Sequence, residues 1–168
     1  MMKIIELGKA ININGKAGNL NRLYNNFNIA RGFIITNDLF LEFLEKNNIS
    51  LQDNLTNIKK KIMKGIFPCE KQLLEYFKNN KYQEVIVRSS ASMEDSNNFS
   101  FAGQFESYKN TDINSLIINI KKCWASQFED NVKSYLKENK IKDNFYFDVL
   151  IQEMIISDIS GIAFSVNP

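Results

Sequence analysis

The chain has 168 residues, 44% of them hydrophobic, and a formal net charge of +2. That is enough apolar content for one domain or two small lobes, and too little charge to announce a nucleic-acid or acidic-membrane partner. It contains no histidine, which removes Ser-His-Asp triads, Cys-His pairs, histidine-based zinc sites and any phosphohistidine relay within these residues.

Met1 to Ala10 carries no cleavable apolar leader, and no later segment approaches the length needed to span a bilayer, so the expected address is the cytoplasm. Gly15-Lys16-Ala17-Gly18 reads as a glycine-bearing turn. Leu39, Phe40, Phe43 and Leu44 follow at helical spacing after a cap at Thr36 or Asn37, and Leu51, Leu55, Ile58 and Ile62 follow a Ser50 cap with Asp53 three residues on. Leu73, Leu74 and Phe77 predict a third helix ending near Asn79-Asn80, after which Val85 to Val87 is a short buried strand. Ile113, Leu116, Ile117, Ile120 and Trp124 form one face of a further helix, with Val132, Tyr135 and Leu136 on the next. The chain closes with apolar runs, Phe147 to Ile151 and Ile162 to Val166, that read as strands. The pattern is α+β, with helices packed on a mostly antiparallel or mixed sheet. Cys69 and Cys123 lack metal-ligand partners at zinc-type spacing and are expected to be reduced, in or near the core.

The most informative stretch is Val85 to Tyr108, VIVRSSASMEDSNNFSFAGQFESY. Arg88, at the end of an apolar strand, offers a fixed fork of donors, and Ser89-Ser90-Ala91-Ser92 adds hydroxyls and backbone N–H groups suited to phosphate. On residue types alone, a polar surface loop in which Arg88 pairs with Glu94 or Asp95 fits equally well. Lys16 between two glycines lets the backbone come close to a polyanion, although this spacing is not a P-loop, and a surface turn with a solvated lysine has the same appearance. Glu94 and Asp95 are expected to orient Arg88 or cap the loop rather than to bind metal. Phe99, Phe101, Phe105 and Trp124 are assigned to the core rather than to base stacking.

The string itself resembles the nucleotide-binding domain of the pyruvate phosphate dikinase and phosphoenolpyruvate synthase family, to which rifampicin phosphotransferases are related. Three further segments match in order: Gly15-Lys16-Ala17-Gly18-Asn19-Leu20 is similar to the family's GGKGANL, Arg31-Gly32-Phe33-Ile34-Ile35-Thr36 to its PPGFVVT, and Val149 to Met154 with Ser160 to Pro168 to its VVVQEMV and SGVAFTVNP. The resemblance implies the first lobe, and the start of the second, of an ATP-grasp-type domain over residues 1–168. It implies ATP as cofactor, with Mg2+ ligands in sequence beyond Pro168.

By the same resemblance, Lys16 and Arg88 meet the ATP phosphates, Gly103 lies beneath the nucleotide, Ser107 stands near the phosphates, and Gln152 with Glu153 and Met154 meets the adenine edge. A tight turn at Gly103, an exposed strand serine at Ser107 and a strand-capping polar pair at Gln152-Glu153 are the structural alternatives. No residue within the chain is assigned as catalytic. In complete relatives phosphate passes from ATP through a histidine on another domain to pyruvate or another acceptor, so the expected partners are ATP and the remaining domains of a longer enzyme. A free-standing, inactive nucleotide-binding or regulatory module is the alternative. One departure stands out: Ala30-Arg31 replaces the family's paired prolines, changing the rigidity of that turn and introducing a charge.

Overall fold

The structure, a computed structural model, describes residues 3–92, 106–138 and 147–161. Its framework is a five-stranded sheet in the order β1-β2-β5-β3-β4, formed by β1 (Ile4–Glu6), β2 (Gly32–Ile35), β3 (Val85–Ala91), β4 (Ser107–Thr111) and β5 (Phe147–Glu153). Each neighbouring pair is antiparallel. The run FDVLIQE is buried from Phe147 through Gln152, as befits the central strand covered on both faces. The edges are short or polar: β1 has three residues, and β4 reads SYKNT, compositions that discourage edge-to-edge pairing with other chains.

The pleat divides the sheet into two unlike faces. Phe33, Ile35, Val85, Val87, Val149 and Ile151 point into the main core. There they meet α2 (Asn37–Lys46), α3 (Leu55–Lys64), α4 (Glu70–Asn79) and α5 (Leu116–Ser126). Ile34 and Leu150 point the other way, into a small cluster with Leu7 and Ala17, beneath α1 (Gly15–Leu23). The last helix, α6 (Asp130–Glu138), buries Val132 and Leu136 as its periodicity predicts.

Trp124 lies fully buried among Phe40, Phe43 and Phe67, stacked on the last with centroids 5.2 Å apart, so it is a core residue, as expected. Both cysteines are free. Burial pushes the Cys123 thiol up to about 12, which leaves it protonated and unreactive at neutral pH. No helix of the described residues is long and apolar enough to cross a membrane.

Three elements differ from the sequence expectation. The helix expected after Ser50 starts at Leu55 instead, because the Asn54 side chain accepts from the Asn57 N–H and so provides the N-cap; Leu51 falls outside and is exposed. The strand at Val85 runs on to Ala91, carrying Arg88 and both adjoining serines inside the sheet. Residues Gly15–Leu23 form a helix where a turn was expected. The closing run Ile162 to Val166, and the loop residues Glu94, Asp95, Phe99, Phe101, Gly103 and Phe105, lie outside the described residues.

Candidate functional site

The helix α1 is held onto the sheet by contacts that its sequence hardly advertises. Two glycines in one short helix weaken its intrinsic propensity by roughly 1 kcal/mol each. What they permit is close approach: Gly15 has φ +67°, and a Cβ built there would stand 2.3 Å from the Ala91 carbonyl oxygen. The Ser90 hydroxyl completes the junction, accepting from the Ala17 N–H at 2.8 Å and donating to the Asn14 carbonyl at 3.3 Å. Asn21 ties the preceding loop to the same helix, accepting from the Gly8 and Ala10 N–H groups and donating to the Ala10 carbonyl. The first turn of α1 is thereby pinned to the end of β3, and Lys16, half-buried, reaches across to donate to the Ser89 carbonyl at 3.3 Å.

Strand alternation then sorts the side chains of β3. Arg88 and Ser90 share the α1 face with Ile86, whereas Val87, Ser89 and Ala91 belong to the other. The serine run therefore does not converge on one anion. Ser89 turns toward the Glu106 carbonyl at 3.4 Å, and Ser90 is committed to α1. Arg88 sits directly opposite Leu150 on β5 and Ser107 on β4, which puts the Ser107 side chain, exposed, on the Arg88 face. Lys16, Arg88 and Ser107 are thus brought to one region, two cations and a hydroxyl on the face that α2 to α5 leave uncovered.

Of the third group of expected site residues, Gln152 lies farther along the same face, whereas Glu153, opposite Val85, turns its side chain to the core face. Gln152 is opposite Ile86 and Gly32, two positions or roughly 7 Å along the strands from the Arg88 level. Its buried amide donates to the Ala30 carbonyl at 3.4 Å. Glu153 donates its N–H to the Arg31 carbonyl at 2.8 Å, and Met154 donates its own to the Glu84 carbonyl at 2.9 Å. Lys16 and Arg88 therefore mark one end of a path over the sheet, and the chain leaving β5 marks the other. Gly103, expected beneath the same path, is among the residues the structure does not describe. Among the described residues no group of three or more His, Cys, Asp or Glu side chains could hold a metal ion.

Asp148 escaped the sequence reading. It stands opposite Ser90 at the start of β5 and accepts the Asn37 N–H at 2.8 Å, capping α2 from across the sheet. It borders a cleft of about 420 Å³ that Asn12, Asn14, Thr36 and Asp38 also line. Burial, with a smaller push from Asp38, raises its carboxyl from 3.8 to about 6 despite the Asn37 hydrogen bond. Between those values the folded chain holds a proton that the unfolded chain has released, so stability falls as pH rises through that window. Above it the cost is fully present. Asp148→Asn keeps an oxygen for the Asn37 N–H and removes the charge. It is expected to raise stability by about 1 to 3 kcal/mol near neutral pH and to flatten the slope in the acid window. Urea unfolding on both sides of the window measures this; an equal gain at both would show that ionisation is not the cause.

The chain is 36% identical over 144 residues to an uncharacterised phosphotransferase of Bacillus subtilis, YvkC, an alignment covering 82% of this chain and 17% of that protein. It is 32% identical over 142 residues to the rifampicin phosphotransferase of Bacillus subtilis, covering 79% and 16% respectively, and 29% identical over 193 residues to the phosphoenolpyruvate synthase of Aquifex aeolicus, covering 91% and 22%. The chain thus spans about a fifth of the length of these relatives. Residues 11–168 match the domain described as the pyruvate phosphate dikinase AMP/ATP-binding domain. That match runs over nearly the whole length, and the chain belongs to the pyruvate phosphate dikinase AMP/ATP-binding domain family.

Proposed function

We propose that this chain is the ATP-binding portion of a dikinase-type phosphotransferase, built as the first lobe and the beginning of the second lobe of an ATP-grasp-type domain and working in the cytoplasm. The observation that carries the reading is the convergence of Lys16, Arg88 and Ser107 on one face of the sheet, with Gln152 on the same face farther along and the backbone of Glu153 and Met154 following it. That order suits an extended nucleotide, with its polyanionic end at the cations and its base at the end of β5.

In this reading the Arg88 guanidinium and the Lys16 ammonium bind phosphate oxygens by charge-assisted hydrogen bonds, and Ser107 adds a neutral donor. Gly103 lies beneath the nucleotide. Gln152, Glu153 and Met154 form the edge against adenine. The N–H groups of Glu153 and Met154 already serve the sheet, so this segment meets the base through its carbonyl oxygens and through the backbone that follows Met154. ATP brings Mg2+ with it, whose ligands belong to other parts of a longer protein, as does the histidine that passes phosphate to pyruvate or a related acceptor. Phosphoryl transfer depends mainly on positioning and charge neutralisation, and these residues supply the binding share of both.

Calorimetric titration with ATP, with and without magnesium, tests the reading on wild type, Lys16→Ala and Arg88→Ala. Each variant, verified as folded by circular dichroism, is expected to bind about 1 to 3 kcal/mol more weakly, a loss of roughly 5- to 150-fold. Folded variants with wild-type affinity would remove both cations from the site.

A further inference from the structure

The central strand β5 leaves the sheet between the starts of its two neighbours, and one side chain links all three. Arg31, just before β2, grips Glu153 at two points, Nε to Oε2 at 3.1 Å and a terminal nitrogen to Oε1 at 2.9 Å. Its guanidinium carbon lies 5.3 Å from the Tyr82 ring centroid, and its other terminal nitrogen donates to the Asn80 carbonyl at 3.5 Å. Both of those belong to the turn that leads from α4 into β3. The Arg31 backbone carbonyl accepts the Glu153 N–H, and the neighbouring Ala30 carbonyl accepts the Gln152 amide. Residues 30 and 31 therefore hold the end of β5 by three separate attachments.

We propose that Arg31 is a positioning residue for nucleotide-base recognition: its two-point grip on Glu153 fixes where the chain after β5 presents its backbone to the base. The inference rests on the nucleotide reading above and adds to it a residue that the resemblance did not assign. An exposed ion pair contributes little to folding by itself, and Arg31 is half exposed. Its consequence is local, because a planar guanidinium held at two carboxylate oxygens and over a ring restricts Glu153 in direction as well as distance. The paired prolines of the resembling motif stiffen the same turn through fixed backbone angles; here a side-chain staple replaces that stiffness.

The test separates base from phosphate. Dissociation constants for ATP and for inorganic tripolyphosphate are measured on wild type, Arg31→Ala and Arg31→Lys. Arg31→Ala is expected to weaken ATP about 5- to 10-fold while changing tripolyphosphate less than about 2-fold, and Arg31→Lys, which keeps the charge but not the fork, falls between. If Arg31→Ala does not fold, Glu153→Gln removes the same ion pair from the other side and carries the same expectation. Unchanged ATP affinity, or equal losses for both ligands, would overturn the positioning role. Wild type that binds tripolyphosphate no less tightly than ATP would instead remove the base-edge reading, and this inference with it.

Discussion

Gly15→Ala is expected to lower folding stability by about 2 to 5 kcal/mol and to weaken ATP binding at the same time. Two costs act together. The residue adopts φ +67°, a left-handed conformation that strains any residue with a Cβ. The added carbon would also stand 2.3 Å from the Ala91 carbonyl oxygen, a backbone atom within β3 that cannot swing aside. Relief requires α1 to lift from the sheet, and that movement stretches the Ala17 to Ser90 and Lys16 to Ser89 hydrogen bonds. Stability and ATP affinity are therefore expected to fall together at this position. Urea unfolding and an ATP titration on one preparation measure both, and a variant losing neither would show that the close docking of α1 is not needed.

Trp124→Ala carries the largest effect expected in the main core, about 3 to 5 kcal/mol. The indole is fully buried among three phenylalanine rings, so truncation leaves a cavity that the surrounding rings fill only in part. A domain of this size is stable by about 5 to 15 kcal/mol in total, so the loss is a large fraction of the whole. Trp124→Phe should lose much less. The indole Nε1 is buried with no hydrogen-bond partner among the described residues, and phenylalanine removes that unsatisfied donor while keeping most of the apolar volume. Chemical denaturation separates the two variants. Equal losses would mean that the indole nitrogen has a partner whose removal costs as much as the cavity.

The core face of the sheet was legible because periodicity reports burial. Phe40 and Phe43 on α2, Ile58 and Ile62 on α3 and Ile120 with Trp124 on α5 all repeat at helical spacing and are buried. The opposite face was not. The helix α1 has Leu20 and Ala17 as its main apolar contacts, and its two glycines argue locally for a turn; tertiary docking overrides that propensity. Residue type and motif single out Arg88 and Lys16 as candidates, but that Ser90 would anchor α1 instead of facing a ligand depends on strand alternation beyond Val87. Asp148 gave no signal because a cross-strand cap joins residues 111 positions apart in sequence. Arg31 was visible only as a departure from a proline motif. Its partner Glu153 lies 122 positions away, a separation that no local pattern reports.

The most direct measurement is amide chemical-shift mapping of the isotopically labelled 168-residue chain during titration with ATP. The account expects saturable shifts in the first turn of α1, along β3 around Arg88, at Ser107 and after Gln152, with α3 and α4 on the opposite face little changed. Saturable shifts confined to that opposite face, or none at millimolar ATP in a folded sample, would contradict the assignment of the α1 face as the nucleotide site.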